Sequence, residues 1–283
     1  GYLDARIAAA LQARGCGVRI VARRPGSPRP GAEAVAADVG DPASLDRALD
    51  GAGGVVNAVS LYHEHGDATF QAVHVEGAAR LAEQAARRGI RRLVQISGIG
   101  ADPGSASRYV SARGRGEQAV RAAFPGATVL RASVMVGGGG GLLATLQDLL
   151  ARLPVLPLFG RGRTRLQPVH VSEVAEAAAA ALSRDELPAP LYEFGGAEVF
   201  RYRELVQRCA AAVGRRPLLL PLPYPVWRLA AGLLRPLPHP PVTEGQVALM
   251  RRDNLPDPAL PGLAALQVRA GPLQRALDEL PAR

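Results

Sequence analysis

Arg92-Leu93-Val94-Gln95-Ile96-Ser97 is a short apolar, β-branched run, followed by a helical pattern over Ser107 to Ala123 and a second apolar run over Ala127 to Val136. Strand, helix and strand in that order form the pattern of a parallel crossover unit. The alternation continues upstream. Val18 to Val21, Ala34 to Ala37 and Gly54 to Val59 read as strands, and Asp4 to Arg14, Pro42 to Asp50 and Phe70 to Arg88 read as helices. Asp41-Pro42 opens one of these helices with an N-cap oxygen and a proline at the first helical position, where its missing N–H costs nothing. The expectation is an α/β fold, a doubly wound parallel sheet covered by helices on both faces.

Beyond Gly137 the character changes. A glycine run, Gly137 to Gly141, leads into Leu142 to Leu153 and then the loop Phe159-Gly160-Arg161-Gly162-Arg163-Thr164-Arg165. A helix over Ser172 to Leu182 follows, and Tyr192 to Gly195 reads as a last strand. From Phe200 the pattern is helical and proline-rich, with helices over Tyr202 to Val213, Pro225 to Leu234 and Thr243 to Arg252; Thr243 and Gln246 stand at capping-box spacing. The expected division is a doubly wound domain over 1–195, whose 138–165 segment can join the second lobe, and a smaller, mostly helical lobe over 196–283. A doubly wound fold opens with a strand and a glycine-rich turn. Here Gly1-Tyr2-Leu3 reads as the end of such a turn, so the first strand and its earlier glycines are expected upstream of Gly1.

Composition narrows the classes of function. The 283 residues include 48% hydrophobic side chains, enough for a core and too many for disorder. The net charge is +9, and every basic residue is arginine, so a single arginine carries little information. Arg87-Arg88, Arg91-Arg92 and Arg251-Arg252 invite a nucleic-acid reading, but arginines are scattered among acids with no aromatic platform, and no nucleic-acid partner is expected. Cys16 and Cys209 form neither a disulfide framework nor a metal spacing, which fits a reducing, cytoplasmic compartment. No basic-then-apolar leader precedes the first helix, and the chain reads as trimmed rather than as a targeted precursor. Leu218 to Pro241, rich in Leu and Pro around Trp227, is too short in its helical core to span a bilayer. A helix covering the cleft is the favoured reading of this segment, and a membrane-interface helix the alternative.

Several residues fall where a doubly wound fold does chemistry. Arg23 and Arg24 follow the second expected strand of such a fold, the position of an acid against a ribose 2′-hydroxyl or an arginine against a 2′-phosphate; arginine favours NADP(H) over NAD(H). Asp38-Val39 follows the next strand, where a carboxylate can accept from an adenine amino group or close a turn. Ser97 ends a strand, and Tyr109 and Arg113 lie four residues apart on the next helix, facing the same way. A tyrosine hydroxyl can pass a proton to or from a substrate, and a neighbouring cation favours its ionised form. Arginine in place of lysine keeps the charge with a bulkier, planar donor fork. His63-Glu64-His65 has metal-ligand residue types without a further ligand and reads as a solvent loop, so no metal is expected. His170 reads as a packed or loop histidine, and the lack of a Gly-x-Ser-x-Gly elbow argues against a hydrolase triad.

Val94-Gln95-Ile96-Ser97-Gly98-Ile99-Gly100-Ala101-Asp102, Ser107-Arg108-Tyr109 with Arg113 and Glu117, and Phe124-Pro125 together resemble one family. Val129-Leu130-Arg131-Ala132-Ser133, Leu153 to Gly160, Thr164-Arg165-Leu166-Gln167-Pro168-Val169-His170-Val171 and Thr243 to Asn254 strengthen the likeness. The chain is similar to the atypical short-chain dehydrogenase/reductases related to the nucleotide-binding accessory subunit nine of respiratory complex I. That resemblance implies a Rossmann domain for NADP(H) or NAD(H), a smaller C-terminal lobe, and a link to respiratory complex I or ubiquinone metabolism. By position it implies cofactor contacts from Gly1, Arg23, Arg24, Asp38, Val39, Ala58, Val59, Ser60, Ser97, Tyr109 and Arg113, with Tyr109, Arg113 and Ser97 as the catalytic set. Arg113 stands where the family usually has lysine, and the glycine-rich loop is reduced to Gly1. Family members often bind nucleotide without an established turnover. The leading expectation is therefore an accessory NAD(P)H-binding protein, cytoplasmic or peripheral at the inner membrane, whose partner is a respiratory or quinone-pathway complex. An active NADP-dependent reductase, epimerase or dehydratase using Tyr109 is the alternative.

Overall fold

In the computed structural model the stretch Arg92–Gly98 is a central strand, buried on both faces. The structure describes residues 2–26, 30–184, 186–234, 237 and 240–280; Gly1, a proposed cofactor contact, lies outside them. The first half reads α1 (Asp4–Gln12), β1 (Val18–Ala22), β2 (Ala32–Ala36), α2 (Pro42–Ala48), β3 (Gly54–Asn57), a π-helical segment (Gln71–Gly77) continuing into α3 (Ala78–Arg87), β4 (Arg92–Gly98), α4 (Arg108–Ala123) and β5 (Thr128–Ala132). Then come β6 (Met135–Val136), α5 (Gly141–Arg152), β7 (Val155–Phe159), β8 (Arg165–Leu166), β9 (Val169–His170), α6 (Val171–Ser183) and β10 (Leu191–Phe194). The remainder is β11 (Phe200–Arg201), α7 (Tyr202–Ala212), β12 (Leu218–Leu222), α8 (Tyr224–Leu234), α9 (Glu244–Leu249) and α10 (Leu273–Asp278).

Strands β3, β4, β5 and β10 form one parallel sheet in the order β10-β5-β4-β3, with Val56 opposite Val94 and Ile96 opposite Leu130. Strands β1 and β2 pair in parallel with each other, so β1 and β3 each keep one unpaired edge among the described residues. Successive side chains of β4 face opposite cores, as the pleat requires. Val94 and Ile96 join α1 and α6 in one, while Leu93 joins α2, α3 and α4 in the other. Helices thus cover both faces, and the sheet is doubly wound. Asp41 caps α2 as expected, its carboxylate accepting from the Ala43 amide at 3.0 Å.

Three departures from the sequence reading have local causes. The run Ala127 to Val136 breaks after Ala132, because the Asn254 side chain accepts from the Val134 amide at 3.0 Å and from Ser133 Oγ at 2.6 Å. The helix expected over Phe70 to Arg88 begins with a wider π turn. Leu218–Leu222, read as part of a helical stretch, is a strand parallel to β7 with Leu218 opposite Val155; at a sheet edge the prolines are tolerated. A second core, including Leu146, Leu158, Leu205 and Val206, joins α5, β7, α7 and α10, while Leu263 and Leu266 return to the core of the sheet.

The approach of α4 to the π segment is set by Gly116, where a Cβ would lie 2.0 Å from the His74 carbonyl oxygen. Gly116→Ala is therefore expected to destabilise the chain by roughly 1–3 kcal/mol or more in urea unfolding. Gly17→Ala, whose Cβ meets nothing within 4 Å, should stay within about 0.5 kcal/mol of the parent.

Candidate functional site

All parallel strands of the first half end on one edge of the fold, and the residues singled out from the sequence follow those ends. Arg23 and Arg24 lie just past β1, exposed, and neither bonds to a described side chain or carbonyl. Past β2, Asp38 turns its carboxylate onto the Gly40 amide at 2.7 Å, and Arg80 donates to the Val39 carbonyl at 2.5 Å, which ties this loop to α3. Past β3, Ala58, Val59 and Ser60 are held by a buried cross-strand pair. Asn57 Nδ2 donates to Gln95 Oε1 at 2.8 Å, and Asn57 Oδ1 accepts from the Val59 amide at 3.1 Å. Helix α1 begins without a side-chain cap, so its first amides keep the partial positive charge that suits a phosphate.

Tyr109 sits in the first turn of α4 and is 4% exposed. Arg113, one turn later, donates from Nη1 to the Tyr109 hydroxyl at 2.7 Å, and its Cζ lies 5.6 Å from the ring centroid. Burial opposes the charge on Arg113, but Tyr109, Tyr62 and Glu117 outweigh it and hold its pKa above the ordinary arginine value. Gly98 makes room for this side chain, since a Cβ there would stand 3.2 Å from Arg113 Nη2. Tyr62 stacks on Tyr109 at 6.1 Å, and Phe70 and His74 meet it edge-on at 5.4 and 5.8 Å. From the C-terminal part of the chain, Gly245 at the start of α9 would place a Cβ 3.1 Å from Tyr109 Cβ. The helix that reaches the cleft is thus α9, whereas α8 from the Leu218 to Pro241 segment packs on Phe159.

Ser97 is placed beside this pair but is engaged elsewhere. Its hydroxyl donates to Glu117 Oε1, and Glu117 is paired with Arg131 at 2.6 Å. Arg131 also reaches Glu193 at 3.0 Å, and Glu193 accepts from the Asp257 amide at 3.0 Å. Burial works against the charge on Arg131, and the two carboxylates more than offset it, raising its pKa. Glu64 of His63-Glu64-His65 anchors its loop, accepting from the Phe70 amide at 2.9 Å and from Arg108 at 3.0 Å. His170 caps α6, Nδ1 accepting from the Ser172 amide at 3.2 Å, and pairs with Glu279 at 3.1 Å.

The sequence reading assigned no role to His74, Glu117, Arg131, Asn57 or Gln95. For Asn57, Gln95 and Arg131 the available signal was a polar side chain inside an otherwise apolar strand, which is buried only when partnered. His74 Nε2 lies 2.9 Å from the Leu61 carbonyl and 3.2 Å from the Leu61 amide. Burial, opposed by its bond to Leu61 and assisted by Arg113, lowers its pKa to about 4.

A parallel sheet covered by helices on both faces, with β1 followed by exposed arginines that bond to no described side chain or carbonyl, is the architecture of the Rossmann class. Residues 5–142 match the NAD(P)H-binding family. The chain is 31% identical over 229 residues to a ceramide reductase of Caulobacter vibrioides, covering 80% of this chain and 72% of that protein. It is 33% identical over 196 residues to the mitochondrial NADH dehydrogenase [ubiquinone] 1 alpha subcomplex subunit 9 of Arabidopsis thaliana. That match covers 69% of this chain and 49% of the subunit, so the chain spans about half of that relative. The UDP-glucose 4-epimerase of Thermus thermophilus in complex with NAD shares the fold, with a TM-score of 0.71 at 21% identity over 98% of this chain and 94% of that one. The chain belongs to the NAD(P)H-binding family, and it is similar to a ceramide reductase and to complex I subunit nine proteins.

The neutral His74 ring has a pH signature. Its folded pKa of about 4 lies below the ordinary 6.5, so the unfolded chain takes up a proton first as pH falls. Stability is intact above about 6.5 and declines toward pH 4, by up to roughly 3 kcal/mol from this group. Thermal unfolding between about pH 7.5 and about pH 5 is expected to show the decline, and His74→Gln to flatten it.

Proposed function

We propose that this protein binds NADP(H) in preference to NAD(H) and acts mainly as a nucleotide-bound accessory component, with the coenzyme stabilising the first domain. The observation that carries the preference is the pair Arg23 and Arg24, exposed at the end of β1 and bonded to no described side chain or carbonyl, where a 2′-phosphate would meet a bidentate donor. Asp38 and Val39 would border the adenine, Ala58 to Ser60 the ribose and pyrophosphate side, and Tyr109 and Arg113 the nicotinamide end. The amides at the start of α1, together with Gly1, would hold the pyrophosphate. The accessory reading rests on the enclosure of Tyr109, whose ring is walled by Tyr62, Phe70, His74 and α9. Likeness to complex I subunits supports a respiratory or quinone-linked partner and a location peripheral to the membrane carrying it.

The second reading is a reductase, supported by the Arg113 to Tyr109 bond at 2.7 Å and by the likeness to a ceramide reductase. A bound nicotinamide supplies or accepts the hydride. Tyr109 would move the proton, its oxygen oriented by a guanidinium that stays charged, and Glu117 would keep Ser97 fixed at the end of β4. This reading requires α9 or the loop carrying Tyr62 to move aside for substrate.

Calorimetric titration of the complete polypeptide tests the coenzyme preference, and a turnover assay separates the two readings. NADPH is expected to bind at least about tenfold more tightly than NADH, and Arg23→Ala with Arg24→Ala to remove most of that margin while leaving NADH little changed. Equal affinity for both coenzymes in the parent chain would defeat the assignment. If NADPH oxidation with a ceramide precursor ketone or a quinone is detected and Tyr109→Phe lowers kcat by about a hundredfold or more, the reductase reading replaces the accessory one.

A further inference from the structure

Half of the large exposed apolar side chains among the described residues fall in one stretch. Leu218, Leu220, Val226, Leu229, Leu233 and Leu237 all fall within 218–237, with Leu229 and Leu233 65% and 71% exposed. Helix α8 carries a single charged side chain, Arg228, and is apolar on both sides. Its inner side packs well: Trp227 lies 4.3 Å from the Phe159 ring and donates from Nε1 to the Leu158 carbonyl at 3.0 Å. Its outer side presents Val226, Leu229 and Leu233 at helical spacing to solvent. A helix apolar all round is ordinarily buried, and a concentrated apolar patch marks an interaction surface.

The surroundings of the patch define the occupant. Two recesses of about 650 and 340 Å³ adjoin along α7 and β12, and both contain Arg203 and Gln207. Between them they are lined by Arg161, Arg163, Arg201, Arg203, Arg215 and Arg216, with Glu204 the one acid of the lining. None of the six arginines forms an ion pair with a described residue. Leu218, the first exposed leucine of the patch, also lines the larger recess, so the apolar surface and the guanidinium cluster share β12 as a border. A second copy of the chain would bring the same positive charge to the contact, on a protein already at +9. A nucleic acid would leave the leucines in water. An anionic bilayer answers both features, because its phosphates accept from guanidinium forks and its acyl boundary takes leucine side chains.

We propose that the second lobe docks on the surface of an anionic phospholipid bilayer, with α8 in the interface, Val226, Leu229 and Leu233 in the acyl boundary, and the arginines beside β12 on lipid phosphates. The contact is peripheral: no described helix is long and apolar enough to cross the membrane.

Flotation of the full chain with phosphatidylcholine vesicles, with and without phosphatidylglycerol, tests this directly. Partition is expected onto the phosphatidylglycerol vesicles, weakening with salt. Leu229→Glu with Leu233→Glu, at exposed positions and with an unchanged thermal midpoint, should lower partition about tenfold or more. Arg215→Gln with Arg216→Gln should weaken the salt-dependent part alone. Absence of partition onto anionic vesicles overturns the proposal, as does partition indifferent to the leucine substitutions. A parent dimer in sedimentation velocity that those substitutions render monomeric would make the patch an interface between copies. Displacement from vesicles by an equimolar oligonucleotide would assign the arginines to nucleic acid.

Discussion

The guanidinium of Arg131 is the point on which the arrangement of the cleft depends. It leaves β5 between two carboxylates, Glu117 of α4 and Glu193 of β10, and through Glu117 it reaches Ser97 at the end of β4. Glu193 extends the connection to the Asp257 amide in the C-terminal segment. Glu117 and Glu193 are buried around the half-buried Arg131, and removing the cation would leave two desolvated negative charges. The network therefore fixes α4 against the sheet, and α4 carries Tyr109 and Arg113. Ser97 belongs to this fixed frame, which accounts for its place beside the tyrosine with its hydroxyl already committed.

Periodicity made the central unit readable. The strand expected over Arg92 to Ser97 and the helix over Ser107 to Ala123 are found as Arg92–Gly98 and Arg108–Ala123, because apolar alternation and helical spacing are local properties. The break after Ala132 is not local: it is imposed by Asn254, which is distant in sequence and takes the bonds that would have prolonged the strand. β12 was hidden because Leu218-Leu219-Leu220-Pro221-Leu222 lacks alternation and contains a proline, and only its pairing with β7 makes it a strand. At the site, Tyr109 and Arg113 were legible from their spacing of four. The enclosure of the tyrosine by Tyr62 and His74 depends on the course of the loop after β3, which no spacing rule encodes. Arg23, Arg24 and the recess arginines had little sequence signal in a chain whose basic residues are all arginine. That they pair with no described acid emerges only when their neighbours are known.

Two surfaces of opposite character result. The carboxyl edge of the sheet is backed by glycines, Gly98, Gly116 and Gly245, that let helices and side chains approach closely. The lobe surface around α8 and β12 is broad, apolar at its middle and cationic at its border. Helix α9 lies between them, packed against α8 on one side and against α4 on the other, with Val247 in the α8 core and Gly245 against Tyr109.

The substitution of arginine for lysine beside Tyr109 has its own chemical consequence. An ammonium group at that position would surrender its proton in strongly alkaline solution and release the phenol it supports. A guanidinium holds its charge at any alkalinity the folded chain survives. The donor to the tyrosine oxygen is in that sense permanent, and any proton traffic at this oxygen leaves Arg113 unchanged and is confined to the phenol and whatever group faces it.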